Sequence, residues 1–300
     1  MTDAGEVLVV GPTSENLLVH LDTLPRPEPH TVFARSFMPA LGGTSAGKAL
    51  HLTDVGVPTT LLTTRGDDAT GEQLMARLRR CGVDVRAVLT DGPSERHLNL
   101  MSAAGERVSI YLQACGEVGP AELRRARATA IAAMGAARAV FLDLSTLSRA
   151  LIPEASALGG EVWVDLHDYD GIEEFHQPFR EAADVVIMNG DRIGDPAAYL
   201  RTLVGGGKTL AVCTLGANGA IAMGSDGVMV AGAAPRVTAV DSNGAGDAFA
   251  AGVMAYALRA GGARALVGSQ LAEALAAGAA QAARAVTSPQ ISPLLEREDP

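Results

Sequence analysis

Apolar positions along the chain follow two alternating rhythms. Short β-branched runs occur at Glu6-Val7-Leu8-Val9-Val10-Gly11, Thr59 to Thr63, Ala139 to Leu144, Val162 to Leu166, Val185 to Met188 and Leu210 to Thr214. Each is bounded by turn-forming residues and reads as a buried strand. Between them lie Ala/Leu/Arg-rich stretches at 70–81, 121–134 and 269–286, which read as helices. Strand then helix, repeated, predicts an α/β fold with a mostly parallel sheet covered on both faces. Two segments break the rhythm: Thr31 to Leu41, and His97 to Leu112 with a turn at Ala103-Ala104-Gly105-Glu106. They read as strands of a small separate sheet. The tail from Ser288 onward, with its prolines and closing charges, is expected to fray.

A chain of 300 residues, 48% of them hydrophobic, can bury a large core. No fixed-period repeat, charge block or Pro/Ser-rich linker divides it, so 1–300 reads as one domain. A formal net charge of -10 repels a polyanion, which argues against nucleic acid as a partner. No apolar run approaches membrane-spanning length, and Met1 to Glu6 lacks the basic start of a secretory signal, so no membrane association and a cytoplasmic location are expected. Cys81, Cys115 and Cys213 show no metal-binding or disulfide spacing and read as reduced thiols. Lys48 and Lys208 are the only lysines, so any lysine-dependent mechanism must use one of them.

The stretch richest in chemistry is Val240-Asp241-Ser242-Asn243-Gly244-Ala245-Gly246-Asp247-Ala248-Phe249, a glycine-rich turn opening a helix that continues to about Ala260. Glycines let the backbone approach a ligand, and the amides of Gly244, Ala245 and Gly246 would meet an anion at the favourable end of the helix dipole. One such donor at a developing charge is typically worth about 3 to 4 kcal/mol. Asp247, in the first turn, is placed to accept the proton of an attacking hydroxyl. The competing reading is an ordinary Asp at a helix start.

Three motifs together resemble the PfkB family of carbohydrate kinases, which includes ribokinase, fructokinases and adenosine kinase. Asp241-Ser242-Asn243-Gly244-Ala245-Gly246-Asp247-Ala248-Phe249 matches the family's C-terminal signature, with Ser242 in place of Thr. Gly42-Gly43 with Ala46 and Ala49, then Gly56 and Thr64 to Gly71, looks like its N-terminal signature. Val212 to Ala220 looks like its strand and glycine turn beside the nucleotide. The resemblance implies a three-layer α/β/α ribokinase-like fold with a small β lid from about 12–40 and 96–112. It implies Asp247 as base and Gly244, Ala245 and Gly246 as anion hole. Asn16, Gly42, Gly43, Gly47, Asp143 and His167 would be acceptor residues. Asn189, Thr214, Gly216, Gly219, Asp241 and Gly278 would lie by the nucleotide. ATP and magnesium are implied as well, and in some members a monovalent cation near Asp241 and Asn243. The implied activity is phosphorylation of a hydroxyl on a sugar, sugar derivative or nucleoside, and the small sheet suggests a homodimer through the lid.

Several positions depart from the family pattern. Asn16 stands where an Asp usually holds two sugar hydroxyls, and Gly47 where an Asn is usual, which argues against ribose in the usual pose. Glu15 is expected to point to the opposite face from Asn16 if the segment is extended. Asn189-Gly190-Asp191-Arg192 replaces the usual Asn-x-x-Glu, and His167, Asp168 and Tyr169 occupy a stretch where relatives often have Asn and Arg. Asp143 and Ser145 suit either substrate contact or strand-end capping. Gly42 to Lys48 also spells a P-loop, although Ala49 lacks the magnesium-binding hydroxyl and no clean strand precedes it. His167 and Asp168 invite a metal-site reading, which the remaining histidines do not support by spacing. A binding protein that lost catalysis is the rival from another class.

Overall fold

The computed structural model describes residues 6–157 and 159–297. In chain order its strands and helices are β1 (Glu6–Val10), β2 (Ser14–Leu21), β3 (Ser36–Gly42), α1 (Thr44–Asp54), β4 (Thr59–Arg65), α2 (Ala69–Arg80), β5 (Asp84–Leu89), β6 (Glu95–Ser102), β7 (Arg107–Gln113), α3 (Pro120–Ala136), β8 (Ala137–Leu142), α4 (Thr146–Ala150), α5 (Ile152–Ala157), β9 (Glu161–Asp165), α6 (Gln177–Ala182), β10 (Val185–Asn189), α7 (Pro196–Gly205), β11 (Leu210–Thr214), β12 (Ala220–Gly224), β13 (Met229–Gly232), α8 (Ala245–Ala260) and α9 (Ser269–Val286).

The large sheet has the order β13-β12-β11-β10-β9-β8-β1-β4-β5. Its strands from β11 to β5 pair in parallel, and β12 and β13 add an antiparallel hairpin at one edge. Alternation within β1 shows why the fold has three layers. Val7 and Val9 enter a core with α1, α2, α8 and α9, whereas Leu8 and Val10 enter a second core with α3 to α7. The expected three-layer α/β/α architecture is therefore present. The helices α8 and α9 approach closely because Gly252 and Gly278 face each other's backbone. A Cβ on Gly252 would lie 2.8 Å from Gly278 Cα, and one on Gly278 would lie 2.7 Å from Val253 Cγ2.

The small sheet has the order β3-β2-β6-β7, with β2 and β6 parallel and both outer pairs antiparallel. Strand period sorts its side chains. Asn16, His97, Asn99, Ser109 and Tyr111 share the face that lines a cleft. Leu17, Pro39, Leu98 and Ile110, with Val19, Phe37, Leu100 and Val108, fall on the opposite face. Residues 31–35 carry no strand, and the strand of that segment begins at Ser36.

The expectation of a frayed tail is corrected by packing. Ile291, Ser292 and Leu295 are buried, and His51 Nε2 lies 2.7 Å from the Ile291 carbonyl. Apolar burial at two positions plus that hydrogen bond holds the segment through Arg297, while residues 298–300 lie outside the described part.

Candidate active site

Parallel pairing brings the site together at the carboxyl ends of the strands, the usual ligand crevice of such sheets. Leu142 pairs with Val164, so the residues that follow, Asp143 and Asp165, stand side by side at the sheet's end. From the other direction, α8 brings Asp247 and α1 brings Lys48. Gly244 caps α8 in the left-handed region at φ 78°, where a side chain would be strained, and this sets the angle at which the first turn meets the cleft. The cleft holds about 800 Å³ and is walled by the polar face of the small sheet, by Ser242 to Asp247, and by Asp165, His167, Asn189, Asp191, Thr214 and Gly216.

Beneath the cleft floor lies a charged cluster. The Lys48 side chain is 0% exposed; its Nζ donates to Asp247 Oδ1 at 2.6 Å. The same nitrogen is ion-paired with Asp143 Oδ1 at 2.9 Å and Asp165 Oδ2 at 3.2 Å. Ser45 Oγ donates to Asp143 Oδ2 at 2.6 Å, and the His167 amide donates to Asp165 Oδ1 at 2.9 Å. The Phe141 ring centroid lies 5.1 Å from the ammonium. Removing one partner of a buried ion pair typically costs about 3–5 kcal/mol, so these groups are mutually dependent.

The cluster sets opposite protonation tendencies. Burial alone would lower Lys48, but the pull of Asp143, Asp247 and Asp165 outweighs it and holds the ammonium well above its ordinary range. Burial pushes the Asp247 carboxyl up to about 6, with Asp143 adding to the rise and Lys48 opposing it. Burial would also raise Asp165, yet His167 and Lys48, with the His167 amide bond, bring it below its ordinary value. His167 is the single non-glycine residue with positive φ, 52°, among the described residues; such strain concentrates at functional sites.

The residues singled out in the sequence fall into two groups. Asn16, Gly43, His167, Asn189, Thr214, Gly216, Gly244, Ala245, Gly246 and Asp247 line the cleft. Six others do not. Gly42 backs onto Asn16, where a Cβ would fall 2.2 Å from Nδ2. Gly47 lies under Asp247, and Asp143 is fully buried against Lys48 and Ser45. Gly219 closes the turn into β12, Gly278 serves helix packing, and buried Asp241 accepts from the Asn243 amide at 2.7 Å. Ser145 caps α4 through the Ser148 amide. Arg192 turns to Asp170 and Glu173, leaving Asp191 as the acid of that loop on the cleft wall. Glu15 pairs with Arg96, away from Asn16's face. The P-loop alternative fails on geometry: Gly42 ends a strand of the small antiparallel edge, and Lys48 is sealed among carboxylates rather than facing a ligand.

Sequence reading missed the clamp made by Lys48 and the lid residues His97, Asn99, Arg107, Ser109 and Tyr111. The first becomes visible only in the fold, which buries the whole Ser45–Leu52 run of α1 and so requires the Lys48 charge to be paired. Arg107 reaches from β7 to the glycine-rich turn before α8, its guanidinium donating to Asn243 Oδ1 at 3.3 Å. Asp143, Asp165 and His167 have the spacing of a metal ligand set, but Lys48 already supplies the cation there.

The fold and this site together define a small-molecule kinase of the α/β/α class with a β lid. The pattern of the pfkB family carbohydrate kinase matches residues 178–297. Acarbose 7(IV)-phosphotransferase from an Actinoplanes species is 30% identical over 259 residues, covering 85% of each chain. A nucleoside kinase from Methanothermobacter thermautotrophicus is 27% identical over 275 residues, covering 86% of this chain and 84% of its own. A microbiome-derived acarbose kinase structure aligns with a TM-score of 0.79 at 26% identity, over 95% of this chain and 93% of that one. Ribokinase from Giardia lamblia shares the fold, with a TM-score of 0.83 at 18% identity over 98% and 99%. The chain belongs to the PfkB family of carbohydrate kinases and has the ribokinase-like fold, which makes it a phosphotransferase of that type. Among the described residues no helix is long and apolar enough to cross a membrane.

Proposed function

We propose that this kinase transfers the γ-phosphoryl group of magnesium-ATP to a hydroxyl of a sugar derivative bound between the lid's polar face and the ends of β8 and β9. The observation that carries the reading is Asp247, which opens α8 on the cleft wall between the lid and the nucleotide-side loops. The acceptor oxygen attacks the γ-phosphorus, the bond to the β–γ bridging oxygen breaks to give ADP, and Asp247 takes the hydroxyl proton. Because this transition state is largely dissociative, placement counts for more than basicity. The first-turn amides at Gly244–Gly246 and the Arg107 guanidinium supply positive potential for the equatorial oxygens.

Asn189, Thr214 and Gly216 suit the nucleotide side of the cleft. Magnesium bound by the phosphates would neutralise charge there, with Asp191 the acid of that loop available to it. On the acceptor side, Asn16, His97, Asn99, Ser109 and Tyr111 present donors and acceptors suited to a polyhydroxylated ligand. The loss of the usual Asp and Asn at 16 and 47, together with acarbose kinases among its relatives, favours a saccharide derivative over a simple pentose. The uncovered apolar face, where Phe37 is 71% exposed, supports pairing of two copies through their lids.

The test is ADP release with magnesium-ATP across acarbose, simple sugars, sugar acids, polyols and nucleosides. Stimulation by saccharide derivatives supports the reading. Stimulation by nucleosides alone moves the acceptor class, and ligand-induced stabilisation without ADP release favours a binding protein.

A further inference from the structure

Lys48 is a fully buried charge. Its ammonium donates a hydrogen bond to Asp247 at 2.6 Å and is ion-paired with Asp143 at 2.9 Å and Asp165 at 3.2 Å. Two of these carboxylates are themselves held, Asp143 by Ser45 and Asp165 by the His167 amide, and the Phe141 ring centroid lies 5.1 Å from the ammonium. The lysine is sealed from the cleft, whereas the Asp247 side chain remains 13% exposed on its wall. It therefore touches the base and not the substrate. Its occlusion and its charge also leave no free amine for nucleophilic chemistry.

We infer that Lys48 is a positioning residue for phosphoryl transfer: it fixes Asp247 through Oδ1 and keeps it ionised, leaving Oδ2 to receive the acceptor's proton. This rests on the reading of Asp247 as the base. The groups facing that carboxylate are Lys48 from α1, Asp143 beyond β8, and Asp165 and His167 at the end of β9. Burial and Asp143 both drive Asp247 toward the neutral acid, which cannot accept a proton, and Lys48 is the largest influence opposing them. No described hydrogen bond engages Oδ2. A lysine at this place supplies what a solvent shell would supply to an exposed carboxylate, without admitting water.

The experiment compares the unaltered protein with Lys48→Gln, Asp247→Asn and the charge-balanced double variant Lys48→Gln/Asp165→Asn. Asp247 is titrated by carboxyl carbon NMR, and ADP release is followed from about pH 5 to 9 with the best acceptor of the panel, starting with acarbose. In Lys48→Gln the Asp247 midpoint and the acid limb of kcat should both move up by at least about one pH unit. Turnover near pH 7 should fall at least about tenfold, recover in part at high pH, and leave the KM for ATP within about twofold. If the single variant does not fold, the double variant, which keeps the cluster's net charge, carries the same expectation. An unchanged midpoint in either folded variant overturns the inference. Nitrogen-labelled lysine gives a test in the unaltered protein, which has only Lys48 and Lys208. One slowly exchanging ammonium signal, altered in Asp247→Asn, is expected; two rapidly exchanging ones also overturn it. Asp247→Asn separates the two claims: if it retains full turnover the base reading itself fails, and if it is inactive while Lys48→Gln titrates normally, only the role of Lys48 fails.

Discussion

Gly47 and Asp247 occupy one another's space: a Cβ on Gly47 would lie 2.9 Å from Asp247 Oδ2 and 3.1 Å from its Cβ. The departure from the usual family residue at position 47 thus has a steric meaning. The residue contributes room, and α8 uses it to set its carboxylate against α1. Gly47→Ala should gain up to about 1 kcal/mol of helix propensity yet displace Asp247, lowering kcat by about tenfold or more. Steady-state kinetics beside thermal unfolding checks this, because unchanged turnover would mean the carboxylate is not held by that contact.

Asn16 lies on β2 against Gly42, and its Oδ1 accepts from Ser14 Oγ at 2.7 Å. It lines the cleft on the wall formed by the small sheet, remote in chain and strand from Asn189 and Thr214, and the proposed acceptor would lie against it. Asn16→Ala should raise the acceptor KM by about 5- to 150-fold, as loss of one buried hydrogen-bonding group costs about 1–3 kcal/mol, and leave the KM for ATP near its original value. An unchanged acceptor KM would remove Asn16 from the binding surface.

His51 supports the turn before α8 through the C-terminal segment. It bridges Gln281 at 3.0 Å and the Ile291 carbonyl at 2.7 Å, and Ile291 packs on Gly244. Burial pushes its imidazole down to about 4. The unfolded chain therefore binds a proton that the folded one refuses between about pH 6.5 and 4, and stability falls as pH drops through that window by about 3 kcal/mol in total. Asp247 contributes in the opposite sense over much of this window, so the readout is a difference: in denaturant unfolding followed by the single Trp163, His51→Gln should gain about 3 kcal/mol relative to the native protein as pH falls from about 7 to 4.

Asp247 works in the opposite sense. Its carboxyl is raised to about 6, so the folded state holds a proton that the unfolded state releases between about pH 4 and 6. That stabilising protonation is lost as pH rises through the same window, costing about 3 kcal/mol. Asp247→Asn removes that pH dependence, so on top of the constant cost of losing the Lys48 pairing its stability relative to the native protein should rise by about 3 kcal/mol between about pH 4 and pH 8. Equal differences at both pH values would show that the carboxylate carries no such cost.

The sheet was legible because β1, β4, β8, β9, β10 and β11 are β-branched runs buried on both faces, and that burial erases ordinary amphipathic alternation. The glycine turn ahead of α8 was legible from local chemistry, and Gly244 sits in the left-handed region just before the helix starts at Ala245. Lys48 was not. Its partner Asp247 is 199 residues away, and nothing local separates a buried, triply paired lysine from one on a solvent face. The lid's two faces likewise emerge only from the pairing register of β2 with β6 and β6 with β7, which turns scattered polar residues into one wall. The frayed-tail expectation erred because composition says nothing of the pocket that receives Ile291 and Leu295.

Turnover of Asp247→Asn with magnesium-ATP and the identified acceptor, compared with the native protein, tests the central claim most directly. The account predicts a fall of roughly 10²–10⁴-fold in kcat with ATP affinity and fold retained. Near-native turnover in the folded variant would contradict it and show that another group takes the proton.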